Sequence, residues 1–284
     1  MPVLGTMGAM SARGFGALAS FGSGYWIGLL AGGVSDIGNS IAVDSSGNVY
    51  VCGSSNASGS NDFQIAKYNT SGVIQWQRRL GSGVSDIGNS IAVDSSSNVY
   101  VCGYSDASGT SDFQIAKYNT SGVIQWQRRL GNAALDYGRS IAVDSSGNVY
   151  VCGNSAASGT DDFQIAKYNT SGVIQWQYRL GGATDDIGNS IAVDSSSNVY
   201  VCGYSDASGT RDFLFAKLPS DDSLTGTYTV GGYSFTYASS SLTDAVSTLT
   251  DAASSLTDAA SSLTDAASSL TDAASTLTSS VTQI

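Results

Sequence analysis

Apolar and polar positions alternate in short runs along most of the chain, and the runs recur. Ser40 to Asp44, Val49 to Gly53, Phe63 to Tyr68 and Val73 to Leu80 are each rich in Val, Ile, Tyr, Phe or Trp and bounded by Gly, Asn, Asp or Ser. That is the pattern of β-strands separated by tight turns. Ser-Gly-Asn at 46–48 and Asn-Thr-Ser-Gly at 69–72 supply residues that accept a left-handed backbone, so the runs close as hairpins. Together they predict a four-stranded antiparallel meander. NSIAVDSSGNVYVCG at Asn39 returns at Asn89, Asn189 and, as RSIAVDSSGNVYVCG, at 139, with Gly or Ser at the turn. DFQIAKYNTSGVIQWQ starts at Asp62, Asp112 and Asp162 and degrades to DFLFAKLPSDD at Asp212. The period is 50 residues and there are four copies.

Apolar residues stand on both faces of these strands. Ile41, Val43, Val49, Val51, Phe63 and Ile65 compete for the inside with Ala42, Tyr50, Cys52, Ala66 and Trp76, which have the opposite parity. A sheet that is apolar on both sides must be covered on both sides, so the copies are expected to stack sheet on sheet. Four such sheets around an axis over residues 24–218 make an all-β, four-bladed β-propeller with short edges. A parallel β-solenoid is the rival, but its coils are shorter and carry fewer hairpin turns.

Trp76, Trp126 and Trp176 lie 50 residues apart; one further step back reaches Trp26, and no Trp follows the fourth copy. The N-terminal side therefore carries a spare outermost strand and the last copy lacks one. Residues 24–31 are expected to complete the sheet begun by residues 190–218, burying Trp26 for roughly 2–3 kcal/mol. The same strand could instead close onto a neighbouring subunit.

Beyond a connector at 219–240 the period changes to seven: Leu242, Leu249, Leu256, Leu263, Leu270, Leu277 and Ile284. On one continuous strand an odd period sends alternate leucines to opposite faces; on a helix it keeps them on one stripe. With Leu at position a, Ala245, Ala252, Ala259, Ala266 and Ala273 fall at d. Residues 241–284 are thus expected to form a helix. Ser and Thr are middling helix formers, so it needs partner helices. The expectation is a self-associated coiled-coil stalk about 65 Å long, with Asp244, Asp251, Asp258, Asp265 and Asp272 facing water.

Composition narrows the chemistry. All 23 acidic residues are Asp, and His and Glu are absent, which removes the commonest general base, the His-containing triads and most zinc sites. No enzyme, cofactor or metal is expected. A net charge of −11 with 12 basic residues lacks the basic footprint of a nucleic-acid partner. The uncharged run 14–35 is about as long as a membrane span but holds seven Gly and lacks a basic flank, so neither membrane insertion nor a signal peptide is expected. Residues 1–23 read as an arm, a plausible attachment segment.

Cys52, Cys102, Cys152 and Cys202 are expected to be buried, reduced filler. Asp44 and its copies Asp94, Asp144 and Asp194 should bond the turn backbone, and Lys67, Lys117, Lys167 and Lys217 should pair with nearby Asp. The informative residues are those that differ between copies. Residues 31–80 and 81–130 differ at seven positions, six of them in the inter-blade loop and the loop after the second strand. Strand order places both loops on one end of the blades, the arrangement of a binding face on a fixed scaffold. The candidates are Ser54, Asn56 and Asn61 in the first copy and Tyr104, Asp106 and Ser111 in the second. In the third they are Leu135, Tyr137, Arg139, Asn154 and Asp161, and in the fourth Tyr204, Asp206 and Arg211. Tyr with Asp and Arg suits a partly aromatic polar surface for glycan.

VDSSGNVYVCG followed by DFQIAKYNTSG resembles the SBBP class of β-propeller repeats, related in pattern to NHL blades, over residues 24–218. It departs from WD40 blades in having no Trp-Asp dipeptide. With GTMGAMSARGFG in front and LPSDDSLTGTYTVGGYSFTYASSSLTDA behind, the arrangement is similar to proteins of tailed bacteriophages of aquatic bacteria. That resemblance implies a virion protein, a tail or capsid appendage assembled in the host cytoplasm, with other virion proteins and host surface polysaccharide as partners and a homotrimer through 241–284. A purely structural docking protein and a glycan-cleaving appendage enzyme are the alternatives.

Overall fold

The computed structural model describes residues 19–21, 25–32, 35–218, 225–253 and 257–259. Three short strands, β1 (Ala19–Phe21), β2 (Tyr25–Ile27) and β3 (Leu29–Ala31), precede the blades. The first blade is β4 (Asp36–Val43), β5 (Val49–Ser55), β6 (Asp62–Tyr68) and β7 (Ile74–Gly81). The second is β8 (Asp86–Val93), β9 (Val99–Ser105), β10 (Asp112–Tyr118) and β11 (Ile124–Gly131). The third is β12 (Asp136–Val143), β13 (Val149–Ser155), β14 (Asp162–Tyr168) and β15 (Ile174–Gly181), and the fourth is β16 (Asp186–Val193), β17 (Val199–Ser205) and β18 (Asp212–Leu218). Strands pair antiparallel in chain order within each blade, so the chain is all-β and four-bladed, as the repeat predicts.

Each blade is organised by its own turn chemistry. Asp44 Oδ1 accepts the N–H groups of Ser46 and Asn48, and Oδ2 accepts the Asn48 amide and the Tyr50 hydroxyl, all at 2.9 Å. In the third blade burial alone would raise the Asp144 carboxyl; bonds from Asn148, Tyr150 and Ser197 outweigh it and hold the group below the usual carboxylate range. Gly47 takes the left-handed turn position at φ 80, and Ser97 takes it at φ 60. The Ser97 hydroxyl is used: it donates to Asp44 of the preceding blade at 3.0 Å. Among the described residues the lysines do not pair with Asp. Lys67 Nζ lies 5.2 Å from the centre of the Tyr50 ring and donates to the Thr120 carbonyl of the next blade, because the ring already holds the nearby carboxylate through its hydroxyl.

Blades stack in chain order through one recurring contact. The Phe63 ring of the first blade rests on Gly88 and Gly103 of the second, Phe113 on Gly138 and Gly153, and Phe163 on Gly188 and Gly203. A side chain at those glycines would overlap the ring or neighbouring backbone, which is why the strand carries Gly there. Asn39 Nδ2 donates to the Gly88 carbonyl at 2.8 Å, and Asn89 to that of Gly138 at 2.7 Å. Three apolar cores result, one at each seam between consecutive blades. Cys52, Cys102 and Cys152 are buried and all four cysteines are free; burial pushes the Cys52 thiol up to about 12.

The C-terminal region corrects three expectations. Residues 226–239 are a hairpin rather than a connector: β19 (Gly226–Val230) pairs with β20 (Tyr233–Ser239), and β20 adds to β15. The heptad segment is not helical where it is described. β21 (Thr243–Val246) pairs with β11, β22 (Thr250–Ala253) with β7, and β23 (Thr257–Ala259) with β3. Tyr237, Asp244, Asp251 and Asp258 stand opposite Leu180, Leu130, Leu80 and Leu30. Seven residues of tail therefore step back one 50-residue blade. The odd period survives because the strand breaks after each blade edge, which restarts the alternation and sends Leu242 and Leu249 the same way. Leu242 and Leu249 are buried in the second and first seams. Asp244 and Asp251 do not face water; they accept the hydroxyls of Tyr168 and Tyr118 at 3.1 Å. The trimer rested on that helix. Residues 260–284, with Asp265 and Asp272, lie outside the described residues.

The N-terminal closure is also corrected. β2 pairs with β1, Trp26 standing opposite Ser20, and β3 pairs with β23. Among the described residues the fourth blade keeps three strands, β16-β17-β18. Most of the arm at 1–23 lies outside the described residues.

Candidate functional site

The meander brings the loop between second and third strands and the loop between blades to the same end. The backbone there is nearly the same in each blade. Ser55 Oγ accepts the Ala57 N–H at 3.1 Å, and the Asn56 carbonyl accepts the Gly59 N–H at 3.0 Å. The Asp86 N–H then ties the next blade to the Asn61 carbonyl at 2.7 Å. The side chains that differ between copies are mounted on this frame.

Beneath it lies a layer of buried carboxylates that copy comparison misses, because the same Asp recurs in every copy; only the fourth blade's Asp212 in the first row is exposed. Arg79 meets Asp62 at 3.1 Å, Arg129 meets Asp112 at 2.8 Å and Arg179 meets Asp162 at 2.6 Å. Ser58, Ser108 and Ser158 donate to the same carboxylates. A second row, Asp86, Asp136 and Asp186, is fully buried, and Asp136 Oδ2 accepts the Asn132 N–H at 2.9 Å. Burial, with Asp112 and Asp161 nearby, holds the Asp136 carboxyl up at about 6 against an ordinary 3.8. Between those values the folded chain keeps a proton that the unfolded chain has released, so stability falls as pH rises from about 4 to about 6. The slope is about 1.4 kcal/mol for each unit of separation. Asp136→Asn should flatten that fall, leaving the parts due to Asp86 and Asp186, which burial also raises. Urea midpoints at pH 4 and pH 7 for parent and variant check it; an unchanged difference between the two pH values refutes it.

The candidates gather in three groups. Across the seam between the second and third blades, the rings of Tyr104 and Tyr137 meet edge to face with centroids 4.8 Å apart at 88°. Beside them Arg139 Nε donates to Asn154 Oδ1 at 2.8 Å, and Asn154 Nδ2 donates to Asp161 Oδ1 at 2.8 Å. Burial, then Tyr137 and Asp106, push the Tyr104 hydroxyl up, and Arg139 pulls it back. Leu135 is exposed on the same loops. In the fourth blade Arg211 lies over the Tyr204 ring, 4.5 Å from its centre, and 3.8 Å from Asp206. The first blade brings least: Ser54 is buried, Asn56 accepts the Ser35 N–H through its side chain, and Asn61 acts through its carbonyl. Ser111 and Asn154 are buried and act as supports, Ser111 donating to Asp106 at 2.5 Å. Asp185 was missed, although it differs from Ser35 and Ser85; its carboxylate accepts the Asp161 N–H at 3.1 Å and its carbonyl the Asp206 N–H at 2.9 Å, which joins the third blade to the fourth.

Rings beside Arg and Asp can take a sugar's C–H edges on an aromatic face while exchanging hydrogen bonds with its hydroxyls. Among the described residues, no three His, Cys, Asp or Glu side chains are grouped to hold a metal ion.

A family model described as a beta-propeller repeat, SBBP, matches residues 25–59, 75–109, 125–159 and 175–209. Each match runs from an outermost-strand position through the first two strands of the blade that follows. A second model, a beta-propeller domain of unknown function (DUF5122), matches residues 45–74. No curated protein matches. Among solved structures, a protein of unknown function from Bacteroides caccae is 12% identical with a TM-score of 0.39, over 65% of this chain and 57% of that one. The tail fiber of Staphylococcus aureus phage P68 is 13% identical with a TM-score of 0.23, over 76% of this chain and 51% of that one. The chain thus spans little more than half the length of either.

Proposed function

We propose that this chain, built of SBBP β-propeller repeats, is a non-enzymatic phage virion protein, a tail or capsid appendage whose loop end holds host surface glycan. The virion placement rests on the resemblance of the segments flanking the repeats to proteins of tailed phages. The glycan reading is carried by one observation: the side chains that differ between blades gather at one end of a scaffold that otherwise repeats nearly unchanged. Two tyrosine rings, an arginine and a carboxylate form a continuous patch across one seam. Asp112 and Asp162 are tied to arginines, and Asp161 to Asn154. Those carboxylates hold structure, which favours binding over cleavage.

The chain's own copies supply the control. Tyr104→Ser, Tyr137→Ile and Arg139→Asn give the second and third blades the residues of the first while leaving the scaffold in place. On beads carrying bacterial surface polysaccharides, the parent should be retained without shortening the glycan. The triple variant should bind about tenfold more weakly or worse, a loss of about 1.4 kcal/mol. Glycan shortening would favour an appendage enzyme, and no retention at all a structural docking part.

A further inference from the structure

The two ends of the blade series are the two halves of the seam that repeats inside it. Phe213 and Phe215 of the fourth blade are 78% and 73% exposed, whereas their counterparts Phe113 and Ile115 are fully buried against the following blade. On the first blade Ile41 is 65% exposed, while Ile91 in the second is 5% exposed. The seat is open too: a Cβ at Gly38 meets nothing within 4 Å, whereas at Gly88 it meets Phe63 at 2.9 Å. One end thus carries a ring without a glycine seat, and the other a seat without a ring.

The strands are complementary in the same sense. Among the described residues the fourth blade has three strands. β3 occupies the place of an outermost strand: its Leu30 faces Asp258 of the tail as Leu80 faces Asp251. Among the described residues no inner strands of a blade stand beside it, and a cavity of about 370 Å³ opens between Leu29 and Leu30 on one side and Ile37, Ile41 and Val51 on the other. In the complete seam that space is filled by the preceding blade, with Leu80 packed among Ile91, Val99 and Val101.

We propose that the chain associates head to tail with a second copy of itself. The fourth blade of one copy enters the slot between β3 and the first blade of the next. Phe213 rests on the partner's Gly38 and Gly53 as Phe163 rests on Gly188 and Gly203. β18 pairs with the partner's β3 in the register of β6 with β7, which sets Phe213 opposite Leu30 as Phe63 faces Leu80. Asn189 then donates to the partner's Gly38 carbonyl, as Asn39 does to Gly88. The occupant is a second copy because the blades are near-identical and the interface is the intrachain seam continued.

The test uses the full chain and two variants whose changed residues lie at the exposed ends. Phe213→Asp removes the ring and Gly38→Leu fills the seat; Phe213 is largely exposed, its ring centre 6.2 Å from that of Phe215, and a Cβ at Gly38 meets nothing within 4 Å. In sedimentation over a concentration series the parent should grow beyond 29.0 kDa with concentration, and each variant alone should stop doing so. Mixed together, the variants should form a one-to-one dimer, since each retains one intact and opposite end. A parent that stays monomeric overturns the proposal, and so does closure of the fourth blade onto its own first blade, which gives a monomer. Growth that persists in both variants also overturns it by placing assembly elsewhere. Polysaccharide retention by the monomeric variants separates this result from the glycan reading, because the Tyr104–Tyr137 patch lies away from both ends.

Discussion

Leu249→Ala should lower the stability of the protein by about 2–4 kcal/mol, read as a fall in urea midpoint at unchanged m. Leu249 is buried in the seam between the first and second blades, in a cluster with Val99, Ala116 and Tyr118. Its truncation leaves a cavity that β-sheet walls on both sides cannot collapse to fill. Its carbonyl also accepts Gln127 Nε2 at 2.9 Å, and Tyr118 donates to Asp251 two residues on, so the local backbone stays anchored and the loss is that of the side chain. Leu242→Ala should cost a similar amount in the next seam, and the double variant should show the sum, because the two residues sit in separate clusters. A coiled-coil tail predicts otherwise: the same substitutions would change the solution mass and leave the unfolding of the blades alone.

The tail was legible in its spacing and misread in its secondary structure. A period of seven fits a helical stripe, and it fits equally a four-residue edge strand plus a three-residue step to the next blade. The composition held the better clue. Three of each seven residues are Ser or Thr, which are only middling helix formers, and no Glu, Lys or Arg follows Lys217 to sustain a solvated helix. The blades were readable because hairpin chemistry is local: Asp44 and Gly47 act within five residues of each other. The Trp spacing pointed to N-terminal strands but not to their pairing: β2 meets β1 and β3 meets the tail strand β23, contacts that lie outside the repeat and leave no trace in its period. At the loop end, residues that vary between copies located the patch, whereas the carboxylate layer below it was hidden by its uniformity.

Gly138→Ala and Gly38→Ala change the same position of the repeat and should have opposite effects. At Gly138 an added methyl would overlap the Gly103 carbonyl of the preceding blade and lie 3.1 Å from the Phe113 ring. The carbonyl belongs to a strand hydrogen-bonded within its own sheet, and the ring is wedged between blades, so relief requires the seam to part. The expected cost is about 3 kcal/mol or more, at the upper end for overpacking. At Gly38 the same methyl meets nothing within 4 Å. The residue pairs in an extended strand, and removing glycine's freedom from the unfolded chain should stabilise by about 0.4–1 kcal/mol. Both changes are best measured in a Phe213→Asp background, where docking of a second copy does not add to the unfolding free energy. Equal costs at the two positions would mean that the first blade is covered in solution by something other than a second copy. A large cost at Gly138 alone would show that the seam, not the strand, is what requires glycine.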